Sequence, residues 1–198
     1  MDHIEASIAA AKVALRDQLV TFRGRLGPAA IVERARRLAD VLATAPEVRR
    51  AATVAAYVSV GREPGTGPLL DALAAAGKRV ILPLLQSDDD LDWALYRGPD
   101  ELASARRGLL EPTGPGLGRD AVATADVVVV PGLAVDRTGM RLGRGGGSYD
   151  RALARVTGFT VVALNAEELL ETVPAAAHDR RVHAAATEDG VVRFTGGR

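Results

Sequence analysis

The stretch DVVVVPG, residues 126–132, sets four valines in a row between an aspartate and a Pro-Gly break. β-Branched residues favour extended backbone, and a strand with one wet face would alternate apolar with polar residues. An unbroken apolar run instead suits a strand buried on both faces, as in a parallel sheet covered by helices. The same texture extends outward in both directions. TVAAYVSV from Thr53 and RVILPLL from Arg79 predict strands before it, and FTVVALN from Phe159 predicts one after it. GPLLDALAAAG from Gly67 predicts a helix closed by Gly77. DWALYR from Asp92 predicts a short edge strand, and AAATEDGVVRF a last hairpin turning at Asp189-Gly190. EPTGPGLGRD from Glu111, rich in proline and glycine, predicts a long loop. At the start, Ile4, Ile8, Leu15, Leu19 and Phe22 recur at helical spacing, and a second helix opens at Gly27-Pro28 and runs to about Leu42. Strands alternating with helices predict an α/β fold. The expected form is a three-layer sandwich: a parallel or mixed β-sheet with helices on both faces, in one domain spanning residues 1–198. Ligands in such folds gather at the carboxyl ends of the strands.

Composition narrows the function classes. The chain is 47% apolar, enough for a core, and its 25 basic and 25 acidic residues cancel. With no global basic field, nucleic acid and anionic membrane are not expected partners, and any anion site is local. The absence of cysteine excludes disulfides, thiolate metal sites and a cysteine nucleophile. The first residues, MDHIEASIAAAK, show neither a basic n-region nor an apolar h-region. The longest strongly apolar run, Val127 to Val130, is far too short to span a bilayer. A cytoplasmic, membrane-free monomer is the expectation, with oligomers left open.

The chemistry concentrates in RLGRGGGSYDRAL, Arg141 to Leu153. Consecutive glycines let successive N–H groups point into one concavity, and a helix from about Ser148 to Val156 would add its unpaired amides. Arg141 and Arg144 would supply charge-assisted hydrogen bonds to phosphate oxygens. A surface turn with solvated arginines is the competing reading, and local chemistry leaves both open. The common nucleotide fingerprints do not decide it: no Walker A spacing and no G-x-G-x-x-G after a strand is present. Asp150, in the first turn of that helix, suits either magnesium binding or plain compensation of the helix dipole. Asp179, in HDRRV, suits a metal or a turn cap. Lys12 and Arg16, four apart, share a helix face that by itself reads as a solvated edge.

Taken whole, PGLAVDRTGMRLGRGGGSYDRAL resembles the signature of the 5-formyltetrahydrofolate cyclo-ligase family, the methenyltetrahydrofolate synthetases, whose pattern runs P-G-L/V-A-F-D-x-x-G-x-R-L-G-x-G-x-G-Y-Y-D-R. Further matches follow in order: K-x-x-L-R as Lys12 to Arg16, E-x-x-T as Glu63 to Thr66, Pro83, Glu111-Pro112 and His178-Asp179. The resemblance implies an enzyme that uses ATP and Mg2+ to cyclise 5-formyltetrahydrofolate to 5,10-methenyltetrahydrofolate, releasing ADP and phosphate. It implies ATP binding by Lys12, Arg16, Arg141, Gly143, Arg144, Gly145, Gly146, Gly147, Ser148, Tyr149 and Asp150. It implies magnesium at Asp150 and Asp179, folate at Val58, Glu63 and Tyr149, and catalytic roles for Arg141 and Tyr149. The sequence departs from the pattern at Ser148, where the first of two aromatics is expected, at Val135, where phenylalanine is expected, and at Arg62 and Pro64 beside Glu63. Two alternatives follow from those departures: a related protein of thiamine metabolism, and a non-catalytic regulator that binds a nucleotide or phosphorylated metabolite.

Overall fold

The structure, a computed structural model, describes residues 2–195. Three helices come first: α1 (Asp2–Gly24), α2 (Pro28–Thr44) and the short α3 (Pro46–Arg50). Then follow β1 (Thr53–Ala55), α4 (Gly67–Ala75), β2 (Arg79–Leu85), β3 (Leu91–Leu95), β4 (Leu102–Ser104) and β5 (Leu110–Pro112). A 3-10 turn at Arg119–Thr124 leads into β6 (Val127–Pro131), β7 (Ala134–Asp136), β8 (Arg141–Leu142) and α5 (Ser148–Leu153). The chain continues with β9 (Phe159–Ala163), β10 (Leu169–Leu170), β11 (Ala184–Thr187) and β12 (Gly190–Arg193). The main sheet has seven strands in the order β12-β11-β9-β6-β1-β2-β3. Its interior pairings are parallel, and only the two edge strands, β3 and β12, run antiparallel to their neighbours.

The four-valine strand β6 sits at the centre of this sheet. Its side chains alternate between two cores, as a period of two requires. Val127 and Val129 meet Leu38, Leu42, Leu69 and Leu73 of α2 and α4 on one face. Val128 and Val130 meet Ala152 and Leu153 of α5, Val122 and Trp93 on the other. Each valine is at most 1% exposed, so the expected double burial and the sandwich of helices on both faces are what the structure has. Trp93 is likewise a packing residue, 1% exposed in the second core.

Several boundaries differ from the sequence expectation. The strand from Thr53 leaves the sheet after Ala55, and residues 56–60 turn out over its carboxyl edge. Glu111 and Pro112, expected to open a loop, instead belong with Leu110 to a strand that pairs with β4 in a small hairpin. The helix from Ser148 ends at Leu153 after six residues. A three-stranded sheet, β10-β7-β8, was not anticipated at all. It packs Leu133, Ala134, Met140 and Leu142 against Leu19 of α1. Asp136 shapes its hairpin: Oδ1 accepts from the Thr138 N–H (2.8 Å), the Thr138 hydroxyl (2.6 Å) and the Met140 N–H (3.1 Å), while Oδ2 accepts from Val173 N–H (3.2 Å).

Helix α1 also differs from the expected apolar stripe. Ile4 is 69% exposed, and the face turned inward carries Lys12, Arg16, Leu19 and Arg23. Those residues recur at helical spacing, so one stripe serves both packing and charge. Arg23 and Glu168, 2% and 0% exposed, form a bidentate pair at 2.6 and 2.8 Å. Arg23 Nη2 also donates to the Gly132 carbonyl (2.7 Å), just beyond β6. Glu168 in turn accepts from the Asn165 backbone (2.9 Å) and side-chain amides (3.0 Å).

Two stability predictions follow. Glu168→Gln strands a buried guanidinium and is expected to cost about 3–5 kcal/mol in denaturant unfolding. A loss below 1 kcal/mol would show the pair to be dispensable. For Asp136, burial pushes the carboxyl up, but the Thr138, Met140 and Val173 donors outweigh it and hold the group below the ordinary aspartate value. A depressed folded pKa contributes stability above the unfolded value of about 3.9, and that contribution fades as pH falls through the folded value. The stability gap between the wild type and Asp136→Asn should therefore be widest near neutrality and close below about pH 4. A gap independent of pH would rule the charge out.

Candidate active site

A cavity of about 440 Å³ opens at the carboxyl ends of β1, β2 and β6. Strand β1 connects onward to one side of the sheet and β6 to the other, so this is the crevice where strand order reverses and neighbouring loops part. Tyr57 and Val58 reach it because the chain leaves β1 early, and Pro131 and Gly132 because β6 ends there. Gly132 suits its place: a Cβ built there would lie 2.6 Å from Val162 Cγ2. Every residue to which the family resemblance gave a site role lines this one cavity: Lys12, Arg16, Val58, Glu63, Arg141, Gly143 through Asp150, and Asp179.

One wall is basic. The β7–β8 hairpin delivers Arg141, 5% exposed, whose Nη1 donates to Pro131 O (3.1 Å) and Nη2 to Asp150 Oδ1 (2.9 Å). Its buried Nε finds no hydrogen-bond partner among the described residues. Arg16 Nε donates to Gly143 O (2.9 Å), tying α1 to the glycine loop. Lys12 is hydrogen-bonded to Asp179, which also accepts from Ala176 N–H (2.6 Å). Burial raises the Asp179 carboxyl, yet the Lys12 ammonium and the Ala176 amide outweigh it and keep it below its usual value. Within the loop, Gly145 (φ 103) and Gly147 (φ 69) hold left-handed backbone that side chains disfavour. Because α5 has only six residues, its dipole adds less than expected. The positive charge of this wall comes from its guanidinium and ammonium groups.

The opposite wall is apolar with one acid. Val58, Val60, Leu85 and Leu109 line it, and Glu63 rises among them at 8% exposure. Glu63 Oε2 accepts from Val60 N–H (2.9 Å), and Oε1 faces Arg144 Nε at 3.1 Å, bridging the two walls. Thr66 fixes this segment: its hydroxyl donates to Tyr57 O (2.6 Å) and accepts from Ser59 N–H (2.9 Å), and its own N–H donates to Ser59 Oγ (3.0 Å). The fourth position of the E-x-x-T pattern is thus a loop clamp.

Tyr57, buried, and Tyr149, half-buried, both line the cavity and end in buried hydroxyls with no partner among the described residues. Burial, reinforced by the Glu63 charge, pushes both above the ordinary tyrosine range. Both are therefore neutral donors at physiological pH. Buried polar atoms are nearly always paired, so open donors lining a cavity mark where a ligand's acceptors fit. Sequence reasoning missed Tyr57, which it absorbed into a strand, and Arg107, which lines the cavity mouth.

Among the described residues no group of three His, Cys, Asp or Glu is close enough to hold a bare metal ion. Asp150 and Asp179 line the same cavity. Two carboxylates beside a phosphate-shaped loop fit Mg2+, which commonly takes one or two protein carboxylates and completes its shell with phosphates and water.

Comparison with known proteins agrees with this geometry. The sequence profile of the 5-formyltetrahydrofolate cyclo-ligase family matches residues 8–188. A 5-formyltetrahydrofolate cyclo-ligase of Mycolicibacterium smegmatis is 45% identical over 148 residues, covering 71% of this chain and 76% of that one. One from Escherichia coli is 38% identical over 133 residues, covering 66% and 73%. The solved structure of Aquifex aeolicus 5,10-methenyltetrahydrofolate synthetase matches with a TM-score of 0.82 at 29% identity, over 94% of each chain. With the profile spanning most of its length and a close fold match to a solved synthetase, the chain belongs to the 5-formyltetrahydrofolate cyclo-ligase family.

Proposed function

We propose that this protein, acting as one domain over residues 1–198, uses Mg2+ and ATP to cyclise 5-formyltetrahydrofolate to 5,10-methenyltetrahydrofolate, releasing ADP and phosphate. The observation that carries the reading is a single cavity in which a basic glycine loop abuts an apolar wall holding one acid. The first suits a triphosphate, the second a pterin with N–H donors. Lys12, Arg16, Arg141, Arg144 and the loop from Gly143 through Ser148 and Tyr149 hold the phosphates. Val58 and Glu63 hold the folate, Glu63 accepting from the pterin N–H groups, and Tyr149 reaches both ligands. Asp150 and Asp179 would hold Mg2+, which when bound offsets charge on the β- and γ-phosphates.

A formamide oxygen is a poor leaving group, so direct ring closure is slow. Attack of that oxygen on the γ-phosphorus forms an O–P bond, breaks the γ-phosphorus bond to its bridging oxygen, and releases ADP. The resulting iminium phosphate is open to N10: an N–C bond forms, the C–O bond breaks, phosphate departs, and the N10 proton passes to solvent. Such chemistry asks the protein for alignment and charge neutralisation rather than for a covalent nucleophile. Arg141 is suited to that work, since Pro131 and Asp150 fix its fork at the cavity wall. No thiolate is needed, in keeping with a chain without cysteine.

The decisive experiment mixes purified protein, magnesium-ATP and 5-formyltetrahydrofolate and follows the methenyl chromophore. Its appearance with equimolar ADP is the expected result. ATP binding without ADP release would identify a regulator instead, and ATP hydrolysis indifferent to the folate would point to a related protein of another pathway. Arg141→Ala should lower kcat by on the order of 100-fold or more while raising the KM for ATP less. Wild-type kcat in that variant, with the fold intact by circular dichroism, would remove Arg141 from the mechanism.

A further inference from the structure

The glycine loop is faced by guanidinium groups from four separate places in the chain. A Cβ built on Gly143 would lie 2.7 Å from Arg141 Nη1, and one on Gly145 would lie 3.5 Å from Arg16 Cζ. One on Gly146 would lie 3.7 Å from Arg107 Nη1, and one on Gly147 would lie 3.1 Å from Arg151 Nη1. Arg141 and Arg16 belong to the site already described. Arg151 is bound to two carbonyl oxygens, Asp89 O (2.7 Å) and Gly146 O (3.0 Å), so it braces the loop. Arg107 is placed differently. Its Nη2 donates to the Asp89 carboxylate at 2.7 Å, with the two side chains 52% and 35% exposed.

We infer that Arg107 is a further ligand of the nucleotide phosphates, held in waiting by Asp89 and released to the glycine loop beside Gly146 when the anion arrives. This rests on the ATP reading above. Three observations carry it. First, Arg107 and Asp89 stand at the turns of the β4–β5 and β2–β3 hairpins, both with left-handed backbone (φ 58 and φ 62), and they are bound to each other. The left-handed backbone at Arg107 and Gly108 is the tight turn of its hairpin, closed by Leu109 N–H donating to Arg106 O (3.2 Å), so the turn fixes where the Arg107 side chain leaves the backbone. Second, the element carrying Arg107 is anchored. The β4–β5 hairpin is fastened to β2 by Glu111 Oε1 accepting from Leu85 N–H (2.9 Å), so the guanidinium is aimed at Gly146 by a braced support. Third, Lys12, Arg141 and Arg144 each already face a carboxylate, in Asp179, Asp150 and Glu63. Those carboxylates are 9%, 20% and 8% exposed whereas Asp89 is 35% exposed, so Arg107 is the charge-paired cation of this wall most easily detached. An exposed pair such as Arg107–Asp89 is held weakly and exchanges readily for a doubly charged phosphate.

The test measures magnesium-ATP binding by calorimetry, and its KM in the chromophore assay, for the wild type, Arg107→Gln, Asp89→Asn and the double variant. Asparagine accepts left-handed backbone, so the Asp89→Asn fold should be unperturbed; matching unfolding midpoints of the unliganded proteins check this. Arg107→Gln is expected to weaken magnesium-ATP by about tenfold or more. Asp89→Asn should tighten it several-fold, and this gain should vanish in the double variant. Affinity for 5-formyltetrahydrofolate should be unchanged throughout. Wild-type ATP affinity in Arg107→Gln overturns the inference, as does a loss that falls on the folate, which would assign Arg107 to the substrate's glutamate carboxylates. Weakening by Asp89→Asn to the same degree would make the pair structural and also overturn it. If the wild type itself binds no ATP, the nucleotide reading fails as a whole; if it binds and turns over while Arg107→Gln is indifferent, only this inference fails.

Discussion

The buried pair between Arg23 and Glu168 is the constraint on which the site depends. Helix α1 has few apolar anchors: its first turns stand exposed, and among its described side chains Leu19, 7% exposed, is the one buried large aliphatic. Without a directional lock the helix could slide along the β10-β7-β8 sheet, because apolar contacts specify register poorly. The fork of Arg23 onto Glu168 and the Gly132 carbonyl removes that freedom. At about 1.5 Å of rise per residue, fixing Arg23 fixes Arg16 roughly 10 Å and Lys12 roughly 16 Å further back along the axis. Both then stand over the cavity. A buried ion pair is a poor device for stability alone, since desolvation offsets much of the attraction, whereas it is a good device for setting register. Here the register of one helix decides where two cations lie.

A second constraint acts from the other side of the same carbonyl edge. Strand β6 ends at Pro131, and the chain turns through Gly132, whose lack of a side chain lets the backbone press on Val162. It then enters the β7–β8 hairpin, which Asp136 closes by accepting three hydrogen bonds from Thr138 and Met140, with a fourth from Val173 tying it to a later segment. That hairpin returns Arg141 beneath Pro131 and launches the glycine loop. The central strand of the sheet, the hairpin and the loop are thus one continuous strut from core to phosphate site. Val135 lies at 0% exposure within it, so the residue found where phenylalanine was expected alters core volume rather than the cavity wall.

Much of this was legible in the sequence, for reasons that differ element by element. The four valines announced a doubly buried strand because the period-two pattern leaves no polar position. The parallel sheet, the edge position of β3 and the closing hairpin followed from local texture, although the hairpin turns at Glu188-Asp189, one position before the expected Asp189-Gly190. The gathered site was visible because a long gapped motif keeps its register over more than twenty positions, which no turn-forming tendency would produce. What escaped was non-local or short. Arg23 and Glu168 are 145 residues apart and leave no periodic mark. Strands of two or three residues, such as β8 and β10, carry too few side chains to show alternation. The strand from Thr53 was drawn too long since Tyr57 and Val58 are as apolar as a strand requires, although Thr66 pulls that backbone away. Arg107 was passed over because adjacent arginines in an irregular stretch resemble an ordinary solvated surface.

The pairing of nearly every cation with a carboxylate has a consequence for how such a site works. An empty pocket holding only cations would repel itself and scatter its long side chains. Lys12 with Asp179, Arg141 with Asp150 and Arg144 with Glu63 instead hold each donor in place before any ligand arrives. Preorganised donors incur no reorganisation at the moment of reaction, which is where electrostatic catalysis gains most. The same carboxylates would repel a bare triphosphate, so under the proposed chemistry the nucleotide must bring compensating charge with it. A magnesium-bound tail does so, and Asp150 and Asp179 then turn from repelling groups into attracting ones. On this argument the acids beside the loop set which form of the nucleotide is admitted, and the arginines set where its phosphates come to rest.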